Sequence, residues 1–160
     1  MAAQARVGET TYTTPSDREL VTTRAFDAPR DLVWEAWTSP EHLPNWLLGP
    51  EGWTMPVCES DARPGGRIHY KWANDQGHSF SLTGEYVALE PFSRIVHVER
   101  MHLPDPTPDN HVETRFEPDG TGTLMTMRMT LPDAATREAM LKTGMADGME
   151  TSYKRLENLL

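Results

Sequence analysis

The sequence predicts an α+β fold in which a curved, seven-stranded antiparallel sheet wraps around a long C-terminal helix, with two short helices after the first strand. From residue 66 to residue 130, segments of period-two polarity alternate with turn-forming Gly, Pro, Asn and Asp residues, which is typical of antiparallel strands with short connections. Residues 133–160 instead show the 3.6-residue period of an amphipathic helix. A sheet of this size must bury one face, and this helix is the element able to cover it.

The first strand and the two short helices follow from local signals near the N-terminus. Glu19–Phe26 is rich in residues that favour strands and ends at a turn-forming Asp-Ala-Pro sequence, so it is predicted as the first strand. Asp27 is suited to cap a helix, which predicts a short helix over Arg30–Trp37. A Ser-Pro pair at positions 39 and 40 repeats the start signal and opens a second short helix that runs through Trp46.

Six further strands are predicted downstream of these helices, one before and five after a Pro-Gly-Gly turn at residues 64–66. They are predicted over Trp53–Asp61, Arg67–Trp72, Ser79–Leu89, Ile95–Met101, His111–Glu117 and Thr123–Thr130. The inward-facing residues that the alternation predicts on two of them are Ile68, Tyr70 and Trp72, and then Met125, Met127 and Met129.

Residues 133–160 are predicted to form a single uninterrupted helix with Asp133 as its N-cap. Gly144 and Gly148 lie one turn apart, and each costs about 1 kcal/mol relative to Ala in a helix interior. Two explanations stay open, close packing of helix on sheet or a kink or hollow beside a ligand cavity. Glu150 belongs to the predicted polar side, and the predicted buried seam consists of Leu141, Met145, Met149, Ser152, Leu156 and Leu159.

The length of the chain, its net charge and the polarity of its N-terminal residues limit the class of protein. The 160 residues fit one domain, which we expect over residues 18–160, behind a flexible tail over residues 1–17 in which Thr10–Thr14 could pair as an edge strand. A net charge of −9 without any basic run argues against nucleic acid as a partner. The N-terminal residues lack the apolar segment of a signal peptide or membrane anchor, so we expect a cytoplasmic protein that binds no membrane.

Familiar catalytic and metal-binding motifs are missing from the sequence. Cys58 is the only cysteine, which excludes an internal disulfide, and a buried structural thiol is expected there. The six histidines lack paired ligand spacing, and His97 and His102 would face oppositely because they are five positions, an odd number, apart on a strand. The sequence also lacks a phosphate-binding loop and a nucleophile elbow. We therefore expect neither a metal nor a cofactor.

One polar pair has the spacing of a functional site. His97 and Glu99 are two residues apart on a predicted strand, so they share a face that could point into an otherwise apolar cavity. There they could form a general acid–base pair. Alternatively, the two side chains satisfy each other or the backbone within a core, or the face is the outer one. Other candidate ligand-binding residues are Trp46, Trp53, Tyr70, Trp72, Tyr86, Met101, Met127, Met145 and Met149, although any core would bury most of the aromatic ones.

Several stretches, taken together and in this order, resemble one known family. They are residues 24–30, 36–42, 46–52, 61–67, 84–86 and 144–149. Over residues 18–160 the chain resembles the activator-of-heat-shock-protein-90-ATPase homologue branch of the START/Bet v allergen-like (SRPBCC) superfamily. The resemblance implies the helix-grip fold, with a cavity between sheet and C-terminal helix that often holds apolar small molecules. Many relatives carry Trp-Trp-Gly-Pro where this chain has the longer Trp-Leu-Leu-Gly-Pro at residues 46–50, a difference that concerns ligand specificity and not the fold.

We therefore expect a protein that binds a hydrophobic or aromatic small molecule between sheet and helix, and not an enzyme. Two alternatives stay open: a cyclase, dehydratase or hydrolase that uses His97 and Glu99, and a co-chaperone-like protein-interaction module. The fold class does not decide among them. Whether the chain forms a homodimer is also left open.

Overall fold

The computed structural model describes residues 3–160 and has the predicted α+β helix-grip arrangement, with nine strands in place of seven. The strands are β1 (Ala3–Val7), β2 (Thr10–Thr14), β3 (Glu19–Phe26), β4 (Trp53–Ser60), β5 (Arg67–Asn74), β6 (Ser79–Glu90), β7 (Arg94–His102), β8 (Asn110–Asp119) and β9 (Gly122–Thr130). The helices are α1 (Arg30–Thr38), α2 (Ala134–Leu141) and α3 (Met145–Leu159). All strands belong to one antiparallel sheet of order β1-β2-β3-β9-β8-β7-β6-β5-β4. Within the described residues, no helix is long and apolar enough to span a membrane.

The additional strands, β1 and β2, form an N-terminal hairpin, so the prediction of a flexible tail is wrong for residues 3–7. Thr10–Thr14 forms the strand that the sequence analysis left open, although it lies inside the sheet and not at its edge. Residues 1 and 2 lie outside the described part. β2 pairs with β3 and buries Thr10 and Tyr12, whereas β1 lies at the edge of the sheet. The Thr-rich sequence of β2 has high strand propensity but no apolar alternation, which is why its pattern does not separate it from a tail.

The short helices differ from the prediction in their caps and lengths. α1 begins after Pro29, and no side chain caps it, so Asp27 is not its N-cap. The second predicted helix shrinks to one 3₁₀ turn at Leu43–Asn45. After this turn, the Trp46 indole N–H donates to the carbonyl oxygen of Ala36 at 2.9 Å. This hydrogen bond ties the turn to α1.

The prediction of one helix over residues 133–160 is wrong, because the chain turns between α2 and α3. Gly144 has φ of 78° at this turn, a left-handed conformation that glycine adopts without steric cost. Gly148 instead lies inside α3, where an added Cβ would be 3.6 Å from Cδ of Pro50. Gly144 thus breaks the helix, whereas Gly148 lies at ordinary contact distance from a neighbouring loop, so neither glycine reflects close packing of helix on sheet. Asp133 caps α2 as predicted, accepting from the Thr136 N–H at 2.7 Å.

α3 is the helix that the sheet grips, although its buried side differs from the predicted seam. The seam residues are buried at Ser152 and Leu156, partly buried at Met145 and Met149, and exposed at Leu141 and Leu159. Glu150 of the predicted polar side is buried, because it forms an ion pair with Arg24 of β3. Tyr153 packs edge-on against Phe26, with ring centroids 5.7 Å apart. α3 therefore joins β3 through charge and aromatic packing together.

The inner face of the sheet matches the alternation in the sequence. The residues predicted to face inward on β5 and β9 are all buried: Ile68, Tyr70, Trp72, Met125, Met127 and Met129. Bulges interrupt the register of β4 with β5 and of β6 with β7. Such bulges bend a sheet and increase its twist, which curves this face around the helices.

Candidate functional site

The inner face of the sheet becomes polar and more accessible along β7. Ile95 at its start is buried, whereas His97, Glu99 and Met101 are only partly buried. His97 lies opposite Tyr86 of β6, which is buried, so this row faces inward and the outer-face alternative is wrong. The accessible side chains therefore lie within the concave side of the sheet.

His97 and Glu99 form a close pair on this face. His97 Nε2 lies 2.6 Å from Glu99 Oε1, and the two side chains retain 17% and 18% of their exposure. The other ring nitrogen of His97, Nδ1, is buried and has no hydrogen-bond partner among residues 3–160. Within these residues, the imidazole of His97 therefore has a hydrogen-bond partner at Nε2 but not at Nδ1.

Asn110 of β8 belongs to the same site, although the sequence analysis does not identify it. It lies directly opposite Glu99, so the two side chains share the inner face. The residue is 5% exposed, and its Oδ1 is buried without a hydrogen-bond partner in the described part of the chain. In the sequence, Asn110 comes two positions before Val112, so an alternating strand places both side chains on the same, buried face of β8. A predicted strand that begins at His111 leaves it out.

Hydroxyl groups lie next to this pair on β4, β5 and β6. Ser60 Oγ donates to the carbonyl oxygen of Thr38 at 2.8 Å, so the 2.7 Å contact between Ser60 Oγ and Tyr86 is a bond that the phenol donates. The Tyr70 phenol lies near Tyr86 and Glu99. Burial raises the pKa of both phenols above their ordinary value, and the Glu99 carboxylate adds to the rise in the pKa of Tyr70. Both phenols therefore stay protonated at neutral pH.

Apolar side chains continue from this polar group across the inner face. Met101 lies opposite Leu82 of β6, which in turn lies opposite Tyr70. From Tyr70, ring contacts lead to Trp72 at 5.8 Å, then to Phe80 at 5.1 Å, and then to Trp53 at 5.3 Å. Partly buried side chains that pack against the core include Leu47, Leu48, Trp53, Phe80, Met101, Met140, Met145 and Met149. The face thus combines one polar cluster with aromatic and methionine surface.

The remaining candidate residues are placed in the core or at other positions. Trp46 is buried between Trp37 and Tyr153, with ring centroids 4.8 and 6.3 Å away. Met127 is buried on β9, opposite Thr114 of β8. The structure does not join these residues to the His97–Glu99 pair.

Cys58 is partly buried, not fully buried as predicted, and lies opposite Tyr70 on β4. Burial raises the pKa of its thiol to about 11, so the thiol is protonated at neutral pH. His102 is hydrogen-bonded to Thr83 at 2.8 Å. Among residues 3–160, no group of three or more His, Cys, Asp or Glu side chains could hold a metal ion.

Open depressions also occur away from the inner-face cluster. One of about 390 Å³ is lined by charged groups, including Arg6, Glu9 and Glu157. Another of about 420 Å³ lies near Arg18 and His111 at the end of the sheet. Neither contains the His97–Glu99 pair.

Solved structures from several bacteria share this fold. A protein from Rhodobacter sphaeroides is 30% identical, with a TM-score of 0.86 over 94% of this chain and 97% of its own. A Mycobacterium smegmatis protein is 22% identical, with a TM-score of 0.82 over 99% and 97%, and a Nitrosomonas europaea protein is 24% identical, with a TM-score of 0.80 over 92% and 96%. At these lower identities the likeness concerns the fold alone. No curated protein matches the chain.

The family model described as "Activator of Hsp90 ATPase homolog 1-like protein" matches residues 27–160. The match begins within the turn after β3 and includes α1, the inner-face cluster and α3. Since the match extends over most of the chain, this protein belongs to the family of activator of Hsp90 ATPase homolog 1-like proteins.

Proposed function

We propose that the protein binds a hydrophobic or aromatic small molecule on the inner face of the sheet, next to His97 and Glu99. The observation that carries the proposal is the presence of two buried polar atoms, His97 Nδ1 and Asn110 Oδ1, without a hydrogen-bond partner in residues 3–160. A buried polar atom without a partner costs about 1–3 kcal/mol. Native proteins seldom keep such atoms unless a ligand or an ordered water supplies the partner.

The apolar surroundings of these atoms support the class of ligand. Small-molecule sites combine apolar and aromatic walls with a few convergent polar groups. The ring contacts from Tyr70 to Trp53 provide the aromatic surface, and Met101 lies on the strand of the polar pair. Methionine side chains are flexible and polarisable, so they adapt to ligands of irregular shape.

α2 and the turn that follows it are the part of the C-terminal region that is held least tightly by the core. α2 contains no buried residue, although all of its residues are described, and it contributes Met140 and little else to the core. Gly144 separates α2 from α3 in a conformation that few other residues adopt. Segments with few buried contacts open at low free-energy cost, so α2 is the element we expect to move.

Binding of the apolar fluorophore N-phenyl-1-naphthylamine tests the proposal. Met101→Glu places a charge in the site. A bound apolar ligand would remove this charge from water at a cost in free energy, so we expect the substitution to weaken binding by about tenfold or more. Val87→Glu is the matched control, because Val87 is an exposed apolar residue on the neighbouring strand β6. Fluorophore binding that both variants retain equally contradicts an inner-face site.

A second candidate function is acid–base catalysis, which the 2.6 Å contact between His97 and Glu99 favours. Loss of a general acid–base group lowers kcat by about 10²- to 10⁴-fold and leaves affinity comparatively intact. Ligand identified by mass spectrometry of the denatured protein can be incubated with wild type and His97→Ala and followed by chromatography. Conversion by the wild type that disappears in the variant favours the enzyme. An unaltered ligand in both favours binding alone.

A further inference from the structure

The polar cluster of the inner face has an excess of hydrogen-bond acceptors. The Tyr86 hydroxyl hydrogen is committed to Ser60, because the Ser60 hydroxyl hydrogen goes to the carbonyl oxygen of Thr38. These two hydroxyl donors are therefore not available to a ligand. The atoms of this cluster that are buried without a partner in the described residues are Asn110 Oδ1, which can only accept, and Nδ1 of His97.

The hydrogen bond to Glu99 determines the tautomer of His97. An ionised carboxylate has no hydrogen to give, so Nε2 carries the proton in the 2.6 Å contact with Glu99 Oε1. In the neutral imidazole the other nitrogen is then a bare lone pair. In this neutral tautomer Nδ1 of His97 is an acceptor, like Asn110 Oδ1.

Both acceptors lie on the inner face of the paired strands β7 and β8, next to Glu99. Glu99 is directly opposite Asn110, and His97 is the diagonal neighbour of Asn110, since it pairs with Val112. Diagonal neighbours on one face are about 7–8 Å apart at the backbone, within reach of side chains that converge on one small group. A carboxylate oxygen, an amide oxygen and an imidazole lone pair together favour a hydrogen-bond donor and repel an anion.

We infer that the ligand presents a neutral or cationic hydrogen-bond donor, a hydroxyl or N–H group on an apolar body, to His97 Nδ1 and Asn110 Oδ1. This inference rests on the proposed function and names the chemistry of the ligand's polar end. It places alcohols, phenols and amines in the site and keeps carboxylic acids and phosphate esters out. The net charge of −9 acts in the same direction, because it also disfavours anions.

Three naphthalene probes that differ in one substituent separate the possibilities. Only 2-naphthol donates a hydrogen bond, 2-methoxynaphthalene has the same apolar body without the donor, and 2-naphthoic acid is an anion at neutral pH. We expect calorimetry or tryptophan fluorescence to show 2-naphthol binding about tenfold more tightly than either of the other two. Equal binding of the naphthol and the ether overturns the inference, since water would then satisfy the acceptors, and so does tightest binding of the acid. Both results leave apolar binding intact. A protein that binds none of the three overturns the proposed function as well.

A substitution of Asn110 on β8 tests whether this residue causes the preference for a ligand that donates a hydrogen bond. Asn110→Leu replaces the amide by an apolar group of similar shape, so it should bring the ratio of naphthol to ether affinity close to one. His111→Ala is the control, because its exposed side chain points to the opposite face of the same strand. A full naphthol preference in Asn110→Leu contradicts the assignment. The comparison of probes on the wild type needs no variant and decides the inference even if Asn110→Leu does not fold.

Discussion

Arg24 of β3 and Glu150 of α3 form an ion pair in which both side chains are buried. Arg24 Nη2 lies 3.2 Å from Glu150 Oε1, and the two side chains are 0% and 6% exposed. The Thr10 hydroxyl also donates to Glu150, and the Arg24 guanidinium reaches Glu157 at 3.0 Å. This network connects β2, β3 and α3, so it positions the C-terminal helix over the sheet.

Breaking this network should destabilise the protein strongly. Removing one partner of a buried ion pair costs about 3–5 kcal/mol, because it leaves the other charge buried. Since Arg24 keeps Glu157, we expect Glu150→Ala to lower the free energy of unfolding by about 3 kcal/mol in urea melts. The control is Asp61→Ala, which removes the exposed pair with Arg63 and should cost at most about 1 kcal/mol. Similar losses in the two variants contradict the structural role of Glu150.

The same carboxylate makes stability depend on pH. Burial alone would raise the pKa of Glu150, but hydrogen bonds from Arg24 and Thr10 outweigh it and leave the pKa below its ordinary value. The ionised form therefore stabilises the folded state above the unfolded pKa of about 4.3 and loses this effect as pH falls through the lower, folded pKa. Unfolding measured between neutral and acidic pH should show a steeper acid loss for wild type than for Glu150→Gln. Parallel curves contradict the assignment.

The two glycines near the α2–α3 junction should respond in opposite directions to alanine. Gly144→Ala forces a side chain into the left-handed region and should cost about 1–2 kcal/mol. Gly148→Ala lies within α3, where its Cβ would make an ordinary 3.6 Å contact with Pro50, so it should gain up to about 1 kcal/mol from helix propensity. Thermal or urea unfolding of both variants measures the difference. The same sign for both contradicts the break at Gly144.

Leucines near the end of α3 separate the buried side from the exposed side. Leu156 is 1% exposed and Leu159 is 57% exposed, although both belong to the predicted seam. Leu156→Ala should cost about 2–5 kcal/mol, since it leaves a cavity. Leu159→Ala should change the free energy of unfolding by less than about 0.5 kcal/mol. If denaturant melts show that Leu156→Ala is nearly as stable as the wild type, Leu156 is a surface residue and this account of α3 is wrong.

Local periodicity was enough to predict most of the sheet. Alternation identifies Tyr70 and Met127 as inward-facing, and the structure buries both. It leaves β2 undecided between strand and tail, because this Thr-rich sequence alternates in burial but not in polarity. It fails at Gly144, because the apolar period continues across the turn and conceals the break between α2 and α3.

Non-local pairing accounts for the remaining differences. Arg24 and Glu150 are far apart in the sequence, so nothing near either residue shows that both charges are buried and neutralise each other. The same limit applies to Asn110, whose position opposite Glu99 depends on the register of β7 with β8. In contrast, His97 and Glu99 lie on one strand, and their shared face follows from the period of a strand alone.

The most direct test of an inner-face binding site is the position of a bound probe in solution. With uniformly isotope-labelled protein and bound 2-naphthol, nuclear Overhauser contacts report which side chains lie within a few ångströms of the ring. The account predicts contacts to the Met101 methyl group and to the His97 ring, with none to the distant depression lined by Arg6 and Glu157. Contacts from the naphthol ring to Arg6 and Glu157, in place of Met101 and His97, would contradict it.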